Sequence, residues 1–214
     1  MLGLIIMTRS PDTRMPAPTL PAFGERSASP MASRTSTLGW RNLAGRALWT
    51  LVYRLLFRPS PRIAHRWRNW LLRLFGARLH PTARVYGRAR VWAPWHLEMA
   101  EFACVAEDVD VYSADRIVIG AYSTVSQYGY LCAASHDFED VSHPLITAPI
   151  VIGRRCWLAA DVFVGPGVSI GDGTVVGARS AVFGDLAAWS VAVGTPAKVV
   201  RPRRIGPADF GESQ

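Results

Sequence analysis

From Ile152 onward an aliphatic side chain returns every six residues: Ile152, Leu158, Val164, Ile170, Val176 and Val182. The next position is small in Gly153, Ala159, Gly165, Gly171 and Gly177. The same interval runs upstream through Leu79, Val85, Val91 and Leu97, then Met99, Val105, Val111 and Ile117, then Ile119, Val125 and Leu131. Each of these series is displaced from the last by a small insertion. Six is neither the period of an α-helix nor that of an alternating strand. It suits a chain that turns a corner every six residues and places one aliphatic inside each flat face. Three faces close a triangular coil, so residues eighteen apart stack, with small residues expected at the corners. The pattern predicts a mainly β solenoid of about six turns over residues 79–200, its backbones paired and its bore filled by aliphatics.

The chain ahead of the coil reads differently. Residues 38–57 and 61–76 predict two helices separated by Pro59-Ser60-Pro61. In the second, Ile63, Trp67, Trp70, Leu71, Leu74 and Phe75 form one apolar stripe, with Arg62, Arg66 and Arg73 on the other side. Residues 1–37, rich in Pro, Ser, Thr and Ala, read as a disordered tail, and residues 201–214 as a C-terminal tail. The opening Met1–Met7 run is too short, and lacks the preceding basic stretch, for a signal peptide. No apolar run approaches the ~20 residues that span a bilayer. Cys104, Cys132 and Cys156 make no disulfide framework, so a cytoplasmic setting is expected.

The 214 residues carry 24 Lys and Arg against 16 Asp and Glu, a net charge of +8. That excess belongs to the front of the chain. Between Glu25 and Glu98 there is no acidic residue, while fourteen arginines run from Arg26 to Arg90; from Glu98 onward 8 basic residues face 14 acidic ones. No nucleic-acid motif accompanies the charge. Two dispositions of the basic helices stay open. They could lie peripherally on the inner face of a membrane through residues 38–76, or pack on the first turn of the coil.

An ordered series of motifs then carries a resemblance: Leu131-Cys132-Ala133-Ala134-Ser135-His136-Asp137, Pro149-Ile150-Val151-Ile152-Gly153, Cys156-Trp157-Leu158, Gly165-Pro166-Gly167-Val168 and Gly194-Thr195-Pro196-Ala197-Lys198. It resembles the hexapeptide-repeat acyltransferases, in the maltose, nodulation and galactoside O-acetyltransferase branch. Phe57–Arg62 through Leu74–Ala77 is similar to the colanic-acid (exopolysaccharide) acetyltransferases within it. The resemblance spans about residues 38–203. It implies a left-handed parallel β-helix, a homotrimer with active sites between subunits, acetyl-CoA as donor, and a sugar or lipid-linked glycan hydroxyl as acceptor. No metal is implied.

The sixfold pattern lapses over Asp137–Pro149, directly after His136, and resumes at Ile150, which predicts an extruded loop at residues 137–149. Acetyl transfer to a hydroxyl needs a base, and an imidazole suits that role near neutral pH. His136 is therefore the candidate catalytic residue. Where the family places an asparagine, thirty residues earlier, this chain has Ala106. Asp108, Asp110 or Asp137 could orient His136 or bind the acceptor, or be solvated corner residues. The resemblance further assigns acetyl-CoA contacts to Trp157, Ala160, Ala178, Thr195, Lys198 and Arg201, with Arg203 and Arg204 extending the basic cluster. Thr195 and Phe183-Gly184 depart from the family pattern. Rival readings are transfer to serine or an amine, a non-catalytic scaffold, or a zinc enzyme on the same coil. The last needs three histidines, and the relevant stretch has only His136 and His143.

Overall fold

In the computed structural model, which describes residues 39–205 and 209, the six-residue interval becomes three stacked parallel faces. The first face stacks Arg78–Leu79, Leu97–Met99, Ile117–Ile119, Ile150–Ile152 and Ser169–Ile170. The second stacks Arg84–Val85, Cys104–Val105, Thr124–Val125, Trp157–Leu158 and Val175–Val176, then Ser190–Gly194, whose antiparallel neighbour is Ala197–Pro202. The third stacks Arg90–Val91, Asp110–Tyr112, Tyr130–Cys132, Phe163–Val164 and Ala181–Val182. Five turns close, and a sixth begins at Leu186, which bridges to Ile170. The architecture is a parallel β-helix behind two helices.

Residues eighteen apart pair as the pattern predicts: Ile152 with Ile170, Leu158 with Val176, Val164 with Val182. Upstream the pairing interval is twenty, Leu79 with Met99 and Met99 with Ile119. The third corner is longer there and holds a short 3-10 turn at Pro94–His96. Val85, Val105, Val125, Leu158, Val176 and Ala192 form one fully buried column along the bore.

The corners differ from the expectation of small residues alone. A left-handed residue stands three positions after many of the inward aliphatics. Several are bulky, among them Phe102 (φ 52°), Tyr122 (φ 60°), Tyr128 (φ 64°) and Trp189 (φ 55°). Phe102, Tyr122 and Tyr128 are exposed, and the rings of Phe102 and Tyr122 stack 5.1 Å apart with Arg155 5.0 Å from the Tyr122 ring. Side-chain size is constrained instead one residue after the aliphatic. A Cβ on Gly120 would collide with the Gly153 carbonyl, and one on Gly153 would lie 2.7 Å from the Asp172 nitrogen.

The start of the coil raises a hydrogen-bonding problem. The N–H groups of Arg84, Tyr86, Arg90 and Trp92 donate to carbonyls of the second turn, so the first turn's own carbonyls face away with no strand to meet them. Buried carbonyls need donors. Helix α1 (Trp40–Val52), continued by a π-helical turn Tyr53–Phe57, and helix α2 (His65–Leu74) lie over this edge and supply them. Trp49 Nε1 donates to Val91 (2.7 Å), Arg68 Nε to Val85 (2.6 Å), and Asn69 Nδ2 to Ala83 (2.7 Å). Arg73 donates to Leu79 through Nε (3.0 Å) and Nη2 (2.6 Å). Guanidinium, with five donors and no acceptor, is suited to such an edge.

The apolar stripe of α2 is divided between the two sides of the helix. Arg68 and Asn69 are buried beside Leu71 and Leu72, whereas Ile63, Trp67, Trp70 and Leu74 are exposed. The edge takes donors as well as apolar cover, so of the stripe only Leu71 and Phe75 turn inward. The helices do pack on the chain's own first turn, with Trp49, Phe57, Leu71 and Leu72 joining the core. The tail expected at 1–37 and most of 206–214 lie outside the described residues.

Candidate active site

The coil is interrupted where its period fails. Ala134–His136 and Leu145–Thr147 pair antiparallel, with His136 opposite Leu145. The excursion is therefore a hairpin that departs at Ala134 and rejoins the coil at Ile150, and His136 lies in its first strand, ahead of the loop expected at 137–149. Asp137 N–H donates to the Pro144 carbonyl (3.0 Å) and His143 N–H to that of Asp140 (2.8 Å), closing the turn.

His136 is exposed, and its Nδ1 lies 2.6 Å from the main-chain carbonyl oxygen of His143. A carbonyl can only accept, so Nδ1 carries the proton and Nε2 keeps its lone pair in the neutral ring. The orienting group is thus a backbone carbonyl. Within the chain the aspartates are otherwise engaged: Asp108 with Arg88 (2.6 Å), Asp110 with Arg90 (2.5 Å), and Asp137 accepting the Glu139 N–H (3.1 Å). Ala106 packs against the core. No sequence signal could have named His143 for this role, because the contact is made by its backbone and is independent of its side chain.

The residues assigned to donor contact gather on another side. Trp157 stands on the outer surface of the second face, 51% exposed, its indole donating to Ser126 Oγ (3.0 Å). Across that face Trp157 pairs with Val175, Val175 with Val191, and Val191 with Arg201. Three strand steps separate Trp157 from Arg201, roughly 14 Å at the usual strand spacing. Ala160 and Ala178 occupy the corner between the second and third faces, where Ala160 accepts the Arg179 N–H (2.9 Å) and Ala178 is exposed. Thr195 is exposed at the turn joining the last two strands, and Lys198, also exposed, pairs with Val193. Arg203 turns away from the basic cluster expected of it and donates to the carbonyls of Arg155 (3.0 Å) and Gly173 (2.9 Å) at another corner. His136 is not beside this surface. Its hairpin departs from the corner between the third and first faces.

Burial pushes the Cys104 and Cys156 thiols up, away from the reactive thiolate. Cys156 Sγ contacts the Gly171 carbonyl (3.1 Å), and Cys132 Sγ that of Ala134 (3.2 Å). Among the described residues no three His, Cys, Asp or Glu side chains converge as a metal site would require.

Comparison with known proteins agrees with this architecture. Residues 149–184 match the family described as bacterial transferase hexapeptide (six repeats). The chain is 48% identical over 156 residues to WcaF of Escherichia coli K12, a protein named for an acetyltransferase role in colanic acid biosynthesis. That match covers 73% of this chain and 86% of the relative. Among solved structures, a maltose O-acetyltransferase from Clostridium difficile 630 superposes with a TM-score of 0.71 at 23% identity, covering 79% of this chain and 91% of that one. A hexapeptide-repeat acetyltransferase from Vibrio cholerae, complexed with acetyl coenzyme A, superposes with a TM-score of 0.70 at 24% identity, covering 79% and 93%. The interrupted six-residue coil and the likeness over 156 residues to a colanic acid acetyltransferase have one reading: the chain belongs to the hexapeptide-repeat acetyltransferases.

Proposed function

We propose that the protein transfers the acetyl group of acetyl-CoA to a sugar hydroxyl during exopolysaccharide assembly, by direct attack with His136 as general base. The observation that carries the reading is the bond from His136 Nδ1–H to the His143 carbonyl, which leaves Nε2 free to accept a proton. Nε2 takes the proton of the acceptor hydroxyl as its oxygen attacks the thioester carbon. The tetrahedral intermediate collapses with cleavage of the C–S bond. The CoA thiolate leaves, and the proton held on the imidazolium passes to it or to solvent. No enzyme nucleophile is needed, in keeping with the burial that disfavours the Cys104 and Cys156 thiolates.

The donor is a long, slender molecule with phosphates at one end, and the second face is a fitting bed for it. Trp157 would meet the thioester end, Ala160 and Ala178 would let the pantetheine chain approach the backbone, and Thr195, Lys198 and Arg201 would hold the nucleotide end. The separation of this bed from the His136 hairpin supports a homotrimer in which one subunit's hairpin reaches the donor surface of its neighbour. The acceptor class rests on the colanic acid relative. A lipid-linked glycan would be met on the cytoplasmic side of the membrane, by peripheral contact. No helix among the described residues is long and apolar enough to cross one.

The test is acetyl-CoA turnover against lipid-linked and nucleotide-linked sugars, read by mass spectrometry. A mass gain of one acetyl on a sugar that disappears in His136→Ala is expected. Acetylation of serine or an amine, and of no sugar, would overturn the acceptor class.

A further inference from the structure

The helices that close the first turn have a second face, and that face is apolar and basic together. Leu51, Leu55, Ile63, Trp70 and Leu74 are all exposed, Ile63 at 90% and Trp70 at 52%. They lie opposite the side of α1 and α2 that carries Trp49, Phe57, Arg68 and Leu72 into the core. The two outer surfaces are continuous: Trp67 stacks on Trp70 at 5.1 Å and its indole donates to the Leu56 carbonyl (3.1 Å). A groove of about 610 Å³ between the helices, lined by Leu48, Leu74, Phe75 and Trp95, adds an apolar recess next to them. Contiguous apolar surface of this kind marks an interaction site.

The charge around it selects the partner. Arg54, Arg58 and Arg66 are exposed and have no carboxylate partner among the described residues. The chain supplies no acidic residue between Glu25 and Glu98. Two copies of such a face would repel each other, which argues against self-association through it. An anionic polymer would engage the arginines and leave the indoles and leucines in water. A bilayer with anionic headgroups satisfies both at once, because tryptophan settles at the headgroup level and arginines meet the phosphates.

We infer that the outer face of α1 and α2 docks on an anionic lipid surface, with the coil projecting away from it. The same two helices then close the coil with one face and anchor it with the other. This deepens the peripheral contact proposed above and does not depend on the acetyl-transfer reading.

The test is flotation of the full chain with vesicles of phosphatidylcholine alone and of phosphatidylcholine mixed with phosphatidylglycerol. Binding to the anionic vesicles and little to the neutral ones is expected. Replacing Arg54, Arg58 and Arg66 together with Gln lowers that binding by roughly a hundredfold. The triple change Leu55→Ser, Ile63→Ser and Trp70→Ser abolishes it and leaves the circular dichroism spectrum unchanged, since all three side chains are exposed. In the unaltered protein, brominated lipid quenches tryptophan fluorescence. Equal binding to both vesicle types, no binding to either, unchanged binding in the variants, or absence of quenching overturns the inference. Acetyl transfer to a soluble sugar is measured on the unaltered protein, so that its absence there tells against the acetyl-transfer reading alone and the flotation result against the docking alone.

Discussion

The guanidinium of Arg68 is fully buried, and its Nε lies 2.6 Å from the carbonyl oxygen of Val85, in the first turn of the coil. Its remaining nitrogens reach Ser60 Oγ (2.9 Å) and the carbonyls of Pro61 and Arg62 (each 2.8 Å). Among the described residues no carboxylate hydrogen-bonds to it, and burial lowers its pKa from the ordinary arginine value against the opposing charge of Glu107. Arg68→Met keeps most of the volume and orphans these acceptors, each costing about 1–3 kcal/mol when buried. A loss of about 3 kcal/mol or more in urea unfolding is expected. Arg68→Lys recovers only part of it, since one ammonium cannot reach acceptors spread around a planar fork.

At the candidate active site the prediction separates side chain from backbone. His136→Ala is expected to lower kcat by roughly 10²–10⁴, the usual contribution of a general base. The melting temperature should hold, because the ring is exposed. His143→Ala keeps the carbonyl that orients His136 and retains most of the activity. A kinetic collapse in His143→Ala would show that its imidazole, and not its carbonyl, does the work.

The donor bed predicts effects on acetyl-CoA affinity. Trp157→Ala raises the KM for acetyl-CoA and leaves the Ser126 hydroxyl without its indole donor. Lys198→Gln and Arg201→Gln each raise that KM by about tenfold, the scale of one lost charge-assisted hydrogen bond. Their double variant has a KM that responds less to added salt. Steady-state kinetics at two ionic strengths checks this.

Glu98, on the outer surface of the first face, is held below the usual carboxylate range by its hydrogen bond from Arg116 and the charges of Arg116 and Arg78. A carboxyl depressed in the folded state contributes stability above its unfolded pKa of about 4.3, and that contribution is lost as pH falls through the folded value. Glu98→Gln should therefore cost up to about 1 kcal/mol at pH 7, as a partly exposed ion pair does. The difference from the unaltered protein should vanish in acid below the usual carboxylate range. Unfolding curves across that range measure it.

The coil was legible because one feature, an inward aliphatic every sixth residue, is enforced at every face; Ile152, Leu158 and Val164 could not slip without emptying the bore. The interruption of the coil at His136 was legible because the period breaks directly after it. The hairpin pairing of His136 with Leu145 was not, since Ala134–His136 still looks like coil until its partner strand is seen. Which side of α2 turns inward was not legible either. Hydrophobic periodicity ranks Trp67 and Trp70 above Arg68 and Asn69, and it carries no record of carbonyls at Leu79, Ala83 and Val85 waiting for donors. The bulky left-handed corners, Tyr122 and Tyr128, escaped because chemistry alone favours glycine there, while the coil lets those side chains point outward.

From turn to turn the coil's successive strands pair in parallel, so its first edge would be a template for further strands from any passing chain. Trp49, Arg68, Asn69 and Arg73 occupy that template with side-chain donors that no incoming backbone can displace in register. The helices thereby act as an end-stop against polymerisation. A chain cut back to Arg78 would present an adhesive ladder, and such a fragment should form filaments rather than a shorter soluble coil.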